Sequence, residues 1–496
     1  LSCLPKGKGD LRVKADNWKM YERKVESESA EYKNLTYSEP KDDFPRSQMP
    51  LQKPAIAVPV PNFYQQKLAN NISLIGVSEN EIPKVNILLS FKAGHRYEPK
   101  DKSGLSQLLA AMLEQSSQKT SAEEIENKLN RLGSSVYFGS GDEDFNISIN
   151  SLKANLKATM RIVEESLFEP KFDAKEFELE KKKHMDGISQ SLTNASAMAD
   201  MAYRKILYGA NHTMGYPTNG NSETVGNISL DDVKNYYERF KRSQITVAVS
   251  GDIKQEEISG VLPFLSKLSN NAILIADDSE VPVVEKTKIY FVDKKNAAQS
   301  EIRIGCMALP YEALGDFYKA TIMNFSFSGA FNSRTNYLLR EIKGWTYGTR
   351  GGFNGTKFKG PFTTSGGFKG NTTASTITEF FNELKKYTQS GITEEELNFT
   401  KNAMVQSDAL KYESPSQKLG FIKRVLDYDL PKDYVAQQTS ILNNISKEEI
   451  DQLAKKLLPY NNMIIVVVGD KASNFEKVKK LDFDVVEIDS NGKQLN

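Results

Sequence analysis

The fold is decided by two stretches, Gln244-Ile-Thr-Val-Ala-Val-Ser-Gly-Asp252 and Asn462-Met-Ile-Ile-Val-Val-Val-Gly-Asp470. Each is a run rich in β-branched and apolar residues that ends in a Gly-Asp turn, a pattern typical of a buried strand. Gly251 and Gly469 lie 218 positions apart. The spacing predicts that the chain repeats a unit of about 200 residues, far longer than one repeat of a solenoid.

Two further pairs of helix starts support the duplication. Capping boxes at Ser229-Leu-Asp-Asp232 and Ser446-Lys-Glu-Glu449 open the helices that lead into the two stretches. Asp173-Ala-Lys-Glu176 and Thr393-Glu-Glu-Glu396 each start a long charged helix, 220 positions apart. We therefore predict two homologous copies.

Within each copy the pattern indicates a sheet with one face more polar than the other. Phe145, Ile147 and Ile149 alternate with polar residues, which favours antiparallel or mixed pairing in an α+β layer. The predicted fold is two homologous α/β sandwich domains, each an antiparallel or mixed sheet covered by helices. The expected elements are strands 85–93 and 135–150 with helices 104–117 and 121–132, then strands 287–293, 300–308, 345–354 and 361–368 with helices 314–327 and 332–342.

The predicted boundaries are residues 71–275 for the first domain and 286–486 for the second, with a tail at 487–496. Residues 1–70 are polar and rich in proline, which indicates an extended linker. Its start, Leu1-Ser2-Cys3, is compatible with the end of a lipoprotein signal whose cysteine carries a lipid anchor. The alternative is that residues 1–10 are the last strand of an upstream domain.

Composition excludes several classes of function. With 65 Lys and Arg against 64 Asp and Glu, the formal charge of +1 provides no net field to attract nucleic acid. No apolar run approaches the ~20 residues of a transmembrane helix. The two cysteines, Cys3 and Cys306, and only three histidines make an all-protein metal site hard to assemble.

The helix that begins at Gly104 reads Gly-Leu-Ser-Gln-Leu-Leu-Ala-Ala-Met-Leu. Its leucines and Met112 follow the spacing of a helix buried along one stripe. A second face carries Gln107, Ala110 and Ala111, because positions i, i+3 and i+4 are neighbours on a helix. Taken alone, this face indicates ordinary close packing.

A sharper motif lies in the second copy, where Ser328-Gly-Ala-Phe-Asn-Ser-Arg334 precedes a helix end and a strand at residues 339–348. Arg340 near the helix C-terminus has a structural interpretation, as a complement to the helix dipole or a partner of a carboxylate. Tyr347 is equally compatible with a half-buried strand residue. The functional interpretation is that both side chains project into a cleft and donate hydrogen bonds to carbonyl or oxyanion oxygens.

At these residues the chain resembles the pitrilysin and mitochondrial-processing-peptidase family, the zinc peptidases called inverzincins. The resemblance covers about residues 72–485 and includes Asp293-Lys-Lys-Asn-Ala-Ala-Gln-Ser300 and the motif at 333–347. Active members carry H-x-x-E-H on the first helix, with two zinc-binding histidines and a glutamate base. Those positions correspond to Gln107, Ala110 and Ala111, and the third ligand to Gly187, or to Asp186 if the register slips by one.

The resemblance implies the zinc-free half of a two-part metallopeptidase. In such enzymes one half holds zinc and the other presents an arginine and a tyrosine, here Arg340 and Tyr347, to an extended peptide substrate. We therefore expect no cofactor in this chain, zinc in a homologous partner, and no peptidase activity from this chain alone. The partner is either a separate subunit or the upstream part of one precursor, as Leu4-Pro5-Lys6-Gly7-Lys8 looks like the junction of fused members. An inert scaffold or peptide-binding protein is the alternative, and the family suggests the bacterial periplasm or envelope.

Overall fold

The computed structural model describes residues 59–273, 275, 280–407 and 411–495, together with 36–39, 41 and 43. The chain divides into two units, Leu1–Pro54 and Ala55–Asn496, and every element below belongs to the second. The predictions for residues 1–10 and for Cys3 fall outside the described residues.

The first sheet is built from β1 (Tyr64–Lys67), β2 (Ser73–Ser78), β3 (Lys84–Phe91), β4 (Ser135–Ser140), β5 (Phe145–Leu152) and β6 (Ile245–Gly251). The spatial order is β1-β2-β6-β3-β5-β4. β2 pairs with β6 in parallel, and the other neighbours are antiparallel, so the sheet is mixed as predicted. β1 lies inside the segment predicted as linker, so that prediction is wrong at its C-terminal end.

The second sheet is built from β7 (Lys288–Asp293), β8 (Gln299–Met307), β9 (Thr346–Phe353), β10 (Pro361–Lys369), β11 (Ile464–Gly469) and β12 (Asp484–Ile488). Its order is β12-β7-β11-β8-β10-β9, and the five strands from β7 to β9 repeat the path β2-β6-β3-β5-β4 of the first sheet. The predicted duplication is therefore confirmed at the level of topology. β12 ends at Ile488, two residues beyond the predicted end of the domain.

The helices of the first half are α1 (Leu105–Leu113), α2 (Ala122–Leu132), α3 (Leu156–Phe168), α4 (Ala174–Ser191), α5 (Ala195–Tyr208), α6 (Ser222–Gly226), α7 (Leu230–Phe240) and α8 (Gln255–Val261). Those of the second half are α9 (Asp316–Asn324), α10 (Arg334–Asn336), α11 (Thr373–Ser390), α12 (Glu394–Ser407), α13 (Pro415–Asp427), α14 (Tyr434–Asn444), α15 (Lys447–Leu457) and α16 (Lys471–Val478). No helix in the described ranges is long and apolar enough to cross a membrane.

Local sequence signals explain where several helices begin. Ser229 and Ser446 form the predicted capping boxes at the starts of α7 and α15, and the Asp173 side chain accepts from two backbone N–H groups at the start of α4. Each satisfies donors that a helix leaves unpaired in its first turn. Gly251 adopts φ 124°, and a Cβ there would lie 2.1 Å from the Lys84 carbonyl oxygen, so the Gly-Asp turn after β6 requires glycine.

Two predicted helices differ in form from a regular α-helix. α9 continues into a π-helical turn at Phe325–Gly329, and α10 into another at Tyr337–Ile342. Such turns insert an extra residue into the helical ladder and are frequent at functional sites. Arg340 lies in the second of these turns.

The two domains exchange one helix each, which the sequence analysis did not predict. α5 of the first half packs on β8 and β11 of the second sheet, with Ala199 and Ala202 fully buried against valines of β11. α13 of the second half packs on β2 and β6 of the first sheet through Phe421 and Ile422. Both faces of the second sheet are thus covered, and every residue of β11 is buried.

An ion pair fixes the exchanged helix α5 on the second sheet. The Arg303 side chain, 6% exposed, donates from Nε to Asp200 Oδ1 at 2.6 Å. It also donates from Nη2 to Ser196 Oγ at 2.6 Å. The buried guanidinium therefore has partners on α5, and each domain contributes to the stability of the other.

Candidate functional site

The first candidate site is the helix face on α1, and a buried carboxylate fixes where α1 begins. Glu98 is fully buried and accepts from the backbone N–H groups of Gly104 at 3.1 Å and Ser106 at 2.5 Å. His95, also fully buried, contacts Glu98 through Nδ1 at 2.8 Å. Gly104 has φ 98°, and a Cβ there would lie 2.8 Å from the Asn219 carbonyl oxygen. The start of α1 is therefore held by the Glu98 carboxyl group, which accepts from two N–H groups at the helix N-terminus.

The predicted stripe of leucines and Met112 is buried, as the spacing indicated. On the second face, Ala110 is 3% exposed, whereas Gln107 and Ala111 are partly exposed. Gln107 Nε2 donates to the Ser140 carbonyl oxygen at 2.6 Å. The Gln107 amide is thus occupied by the edge strand β4.

A second side chain of this helix region caps the same strand. Glu114 Oε1 accepts from the backbone N–H of Phe138 at 2.9 Å. Glu114 lies seven positions after Gln107, which places both on one helix face. Two backbone groups at the free edge of β4 are therefore satisfied within the chain, which limits their use for pairing with an added strand.

The side chains at the family's zinc positions do not fit a zinc ion. α4, which carries Gly187, packs against α1, but Gly187 has no side chain and the space around it is open. Ala110 and Ala111 offer only methyl groups, and zinc requires about three N, O or S ligands. Across the described residues there is no group of three or more His, Cys, Asp or Glu side chains that could hold a metal ion.

The three histidines have other roles in the structure. His95 contacts Glu98 and the carbonyl oxygens of Thr213 and Tyr216. His184 Nε2 contacts the Asn219 carbonyl oxygen at 2.7 Å, and His212 Nδ1 accepts from the Met214 N–H at 3.0 Å. His184 is therefore engaged with a loop next to α4.

The second candidate site, Arg340 and Tyr347, belongs to the second domain. Arg340 lies in the π-helical turn, pairs with Glu341 and stands over the Phe331 ring at 4.6 Å. Its side chain is 33% exposed. Tyr347, on the edge strand β9, is 93% exposed. The π-helical turn and β9 pack against each other, so the structure brings the two predicted residues onto neighbouring elements.

The stretch around this pair exposes several large apolar side chains. Phe331 is 55% exposed, Tyr337 56% and Ile342 61%. Large exposed apolar side chains that cluster on a surface mark sites of interaction. We call Phe331, Tyr337, Ile342 and Tyr347 the second-domain aromatic surface.

Arg334 has a structural role, which differs from the role expected of Arg340. It donates to both oxygens of Glu396, at 2.5 and 2.6 Å, and to the Gly391 carbonyl oxygen at 3.1 Å. These bonds tie the start of α10 to the start of α12. The arginine of the Ser-Arg motif therefore anchors the element that carries Arg340.

The edge strand β9 of the second sheet is capped in the same way as β4. Asn336 Oδ1 accepts from the Thr349 N–H at 2.9 Å, and Asn324 Nδ2 donates to the Gly351 carbonyl oxygen at 2.8 Å. None of these four capping bonds was predicted from the sequence, although Gln107 was named there for its place on α1. For Gln107 and Glu114 the spacing of seven was the available signal.

Comparisons with known proteins agree on one family. The model described as "Peptidase M16 inactive domain" matches residues 227–404, and the model described as "Insulinase (Peptidase family M16)" matches residues 75–217. Together the two ranges take in more than half of the chain.

Two curated relatives match most of the chain. A "Non-peptidase homolog YmxG" of Helicobacter pylori is 22% identical over 398 residues, which cover 79% of this chain and 90% of that protein. An "Uncharacterized zinc protease YmxG" of Bacillus subtilis is 24% identical over 397 residues, covering 78% of this chain and 94% of that protein.

Solved structures show the same fold. The peptidase M16 inactive domain from Pseudomonas fluorescens superposes with a TM-score of 0.74 at 21% identity, covering 82% of this chain and 98% of that one. A protease from Helicobacter pylori superposes with a TM-score of 0.74 at 16% identity, covering 82% of this chain and all of that one.

Proposed function

We propose that this chain, which belongs to peptidase family M16 as an inactive member, is the non-zinc half of a two-part metallopeptidase. The observation that carries the proposal is the contrast between its two candidate sites. The first-domain face has no metal ligand, whereas Arg340 and Tyr347 remain accessible on adjoining elements of the second domain.

Arg340 and Tyr347 would act on the carbonyl group of a bound peptide. A guanidinium and a phenol both donate hydrogen bonds, and neither of these side chains is fully buried. Negative charge grows on the carbonyl oxygen during peptide cleavage, so donors placed there stabilise the transition state more than the ground state. The loss of one such donor typically raises the barrier by about 2.7–4 kcal/mol.

Zinc and the general base would be supplied by the partner, a homologous chain or upstream half with an intact H-x-x-E-H helix. The substrate would be a peptide in extended form. The second-domain aromatic surface provides apolar area next to Arg340, which favours contact with a peptide or with the partner. A location in the bacterial periplasm or envelope is part of the same proposal, and cell fractionation would test it.

A second candidate function is an inert scaffold or peptide-binding protein of the same fold. The capping of the edge strands β4 and β9 favours it, since Gln107 and Glu114 occupy backbone groups of β4, and Asn324 and Asn336 those of β9. A scaffold, however, needs no accessible arginine and tyrosine at adjoining positions.

Reconstitution distinguishes the two functions. The full chain is mixed with a homologue from the same organism that carries an intact H-x-x-E-H helix, and hydrolysis of a fluorogenic peptide library is measured. The proposal expects activity from the mixture, and a loss of about 100-fold or more when Arg340→Ala replaces the parent chain. Arg161→Ala, an exposed arginine on α3, is the matched control. Equal activity with the Arg340→Ala and Arg161→Ala chains would leave only the scaffold function.

A further inference from the structure

A large cleft lies in the second domain, and neither Arg340 nor Tyr347 lines it. Its volume is about 890 Å³, within the range of small-molecule sites. It opens between α9, α12, α13 and α14 and the turn that joins β9 to β10. We call it the second-domain cleft.

This cleft occupies the position that corresponds to the lost zinc site of the first domain. The duplication relates α9 to α1, α12 to α4 and α13 to α5. At the spacing of 220 residues, Ser407 corresponds to Gly187, and Arg424 to Arg204. Ser407 and Arg424 line the second-domain cleft, and Gly187 and Arg204 line the smaller one in the first domain.

The two corresponding arginines have different surroundings. Arg204 donates to Asp142 Oδ1 at 2.8 Å and to the Met214 carbonyl oxygen at 2.6 Å, so its charge is neutralised. Arg424 makes no ion pair with a carboxylate among the described residues, and its side chain is exposed at the cleft. Both domains therefore carry an arginine at this position, but Arg424 has no described counterpart of Asp142, the acidic partner of Arg204.

One wall of the cleft is aromatic. The rings of Tyr311 and Tyr428 lie 4.2 Å apart, and those of Tyr311 and Phe317 5.1 Å apart. Phe353 follows at 6.5 Å from Phe317. All four are only partly buried, so their faces are available to an apolar group.

Arg424 is the cation that the cleft offers to an anion. No Asp or Glu occurs among the lining residues that the structure describes. Three carboxylates lie near Tyr428, and each has a partner: Asp144 pairs with Lys92 at 2.6 Å and with Lys423 at 3.0 Å, Asp427 pairs with Lys423, and Glu143 accepts from Thr356 Oγ1 and lies 4.0 Å from Lys92. Burial raises the pKa of Tyr311 and the adjacent Arg424 guanidinium opposes that rise, which places the cation beside the aromatic wall.

We propose that the second-domain cleft binds a small apolar carboxylate, with its aliphatic or aromatic group against Tyr311, Phe317 and Phe353 and its carboxylate on Arg424. A guanidinium suits this role because it donates to both oxygens of a carboxylate. Two sources share this chemistry, the apolar C-terminal residue of a peptide and a medium-chain fatty acid. The proposal does not depend on Arg340, Tyr347 or zinc.

Calorimetric titration of the full chain tests the proposal. The probes are N-acetyl-leucyl-phenylalanine and decanoate, each compared with its uncharged amide. We expect saturable binding of one carboxylate per chain, at least about tenfold tighter than its amide because a charge-assisted hydrogen bond is lost in the amide. Binding of the peptide acid alone would identify a peptide C-terminus as the source, and binding of decanoate alone a fatty acid.

Variants separate the cleft from the rest of the surface. Arg424→Gln is expected to remove the preference for the acid over the amide, while Arg161→Ala keeps it. Thr439→Trp, which fills the cleft from α14, is expected to abolish binding of both forms with an unchanged circular dichroism spectrum. The proposal is wrong if neither acid binds, if acid and amide bind equally to the parent chain, or if Arg424→Gln leaves the preference unchanged.

Discussion

Restoring the lost ligands tests whether the α1 face corresponds to the family's zinc site. The change is Gln107→His, Ala111→His and Gly187→Glu in one chain, with Ala110 retained. Nothing lies within 4 Å of a Cβ at Gly187, so a glutamate side chain fits there. We expect the variant to bind one zinc ion per chain, because two imidazoles and a carboxylate then meet between packed helices.

In the triple variant, the free energy gained from zinc binding exceeds the loss from the broken hydrogen bond. The variant loses the hydrogen bond from Gln107 to Ser140, worth about 0.5–1.5 kcal/mol. At a free zinc concentration of a thousand times Kd, binding adds about 4.1 kcal/mol to the free energy of unfolding. Zinc should therefore raise the stability of the variant well above that of the parent, whose stability should not change.

The assay combines metal analysis after gel filtration with urea unfolding in zinc and in chelator. Gly187→Glu alone is the control and should bind no zinc. Because position 110 still lacks the glutamate base, the triple variant should bind zinc without hydrolysing peptides. A folded triple variant that binds no zinc would refute the correspondence between α1, α4 and the family's zinc site.

Three further predictions concern stability. Glu98→Ala should lower the free energy of unfolding by about 2–6 kcal/mol, because it leaves two buried N–H donors unpaired at about 1–3 kcal/mol each. Removal of the exposed N-cap by Ser121→Ala should cost about 1 kcal/mol, and denaturant titration measures both. Gly305→Ala should increase proteolysis of the exchanged helix α5, since its methyl group would lie 2.0 Å from a backbone oxygen of β10 and 2.4 Å from a hydroxyl on α5. Burial tends to raise the pKa of Asp144, but Lys423 and Lys92 outweigh this effect and hold that pKa below its usual value. The resulting stabilisation of the folded protein is present above about pH 4 and is lost as the pH falls through the pKa of the folded state. Lys423→Met should therefore move the midpoint of acid unfolding to higher pH.

Each of these has a clear contrary result. Equal losses of stability for Glu98→Ala and Ser121→Ala would remove the special role of the buried carboxylate. An unchanged cleavage pattern for Gly305→Ala would mean that α5 does not need close contact with β8. An acid midpoint that moves to lower pH, or not at all, would contradict the role of Lys423.

The parts of the fold that sequence could predict are those encoded locally. The capping boxes at Ser229 and Ser446 and the buried stripe of α1 depend on residues close in sequence, and the structure confirms them. Local motifs of this kind recur after about 218 residues, and their recurrence predicted the duplication. The exchange of α5 and α13 depends on which sheet face remains uncovered after folding. Ala199 and Ala202 indicate close approach to something, but nothing in their spacing names the second sheet.

The site was predictable to a similar extent. The absence of ligands at Gln107, Ala110, Ala111 and Gly187 is visible in the sequence once the resemblance is recognised. The hydrogen bond from Gln107 to Ser140 and the π-helical turn that carries Arg340 are tertiary features. That Arg424, unlike Arg204, has no carboxylate partner in the part of the chain that the structure describes became visible only when the two domains were compared as structures.

The central claim is that this chain contributes substrate donors to a zinc centre held by a partner. Its most direct test is the steady-state kinetics of the reconstituted pair with Tyr347→Phe, with Tyr137→Phe as the matched exposed tyrosine on β4. We expect Tyr347→Phe to lower kcat by about 100-fold or more with little change in KM, since the hydroxyl acts chiefly in the transition state. Equal kcat values for the two variants, at unchanged zinc content, would contradict it.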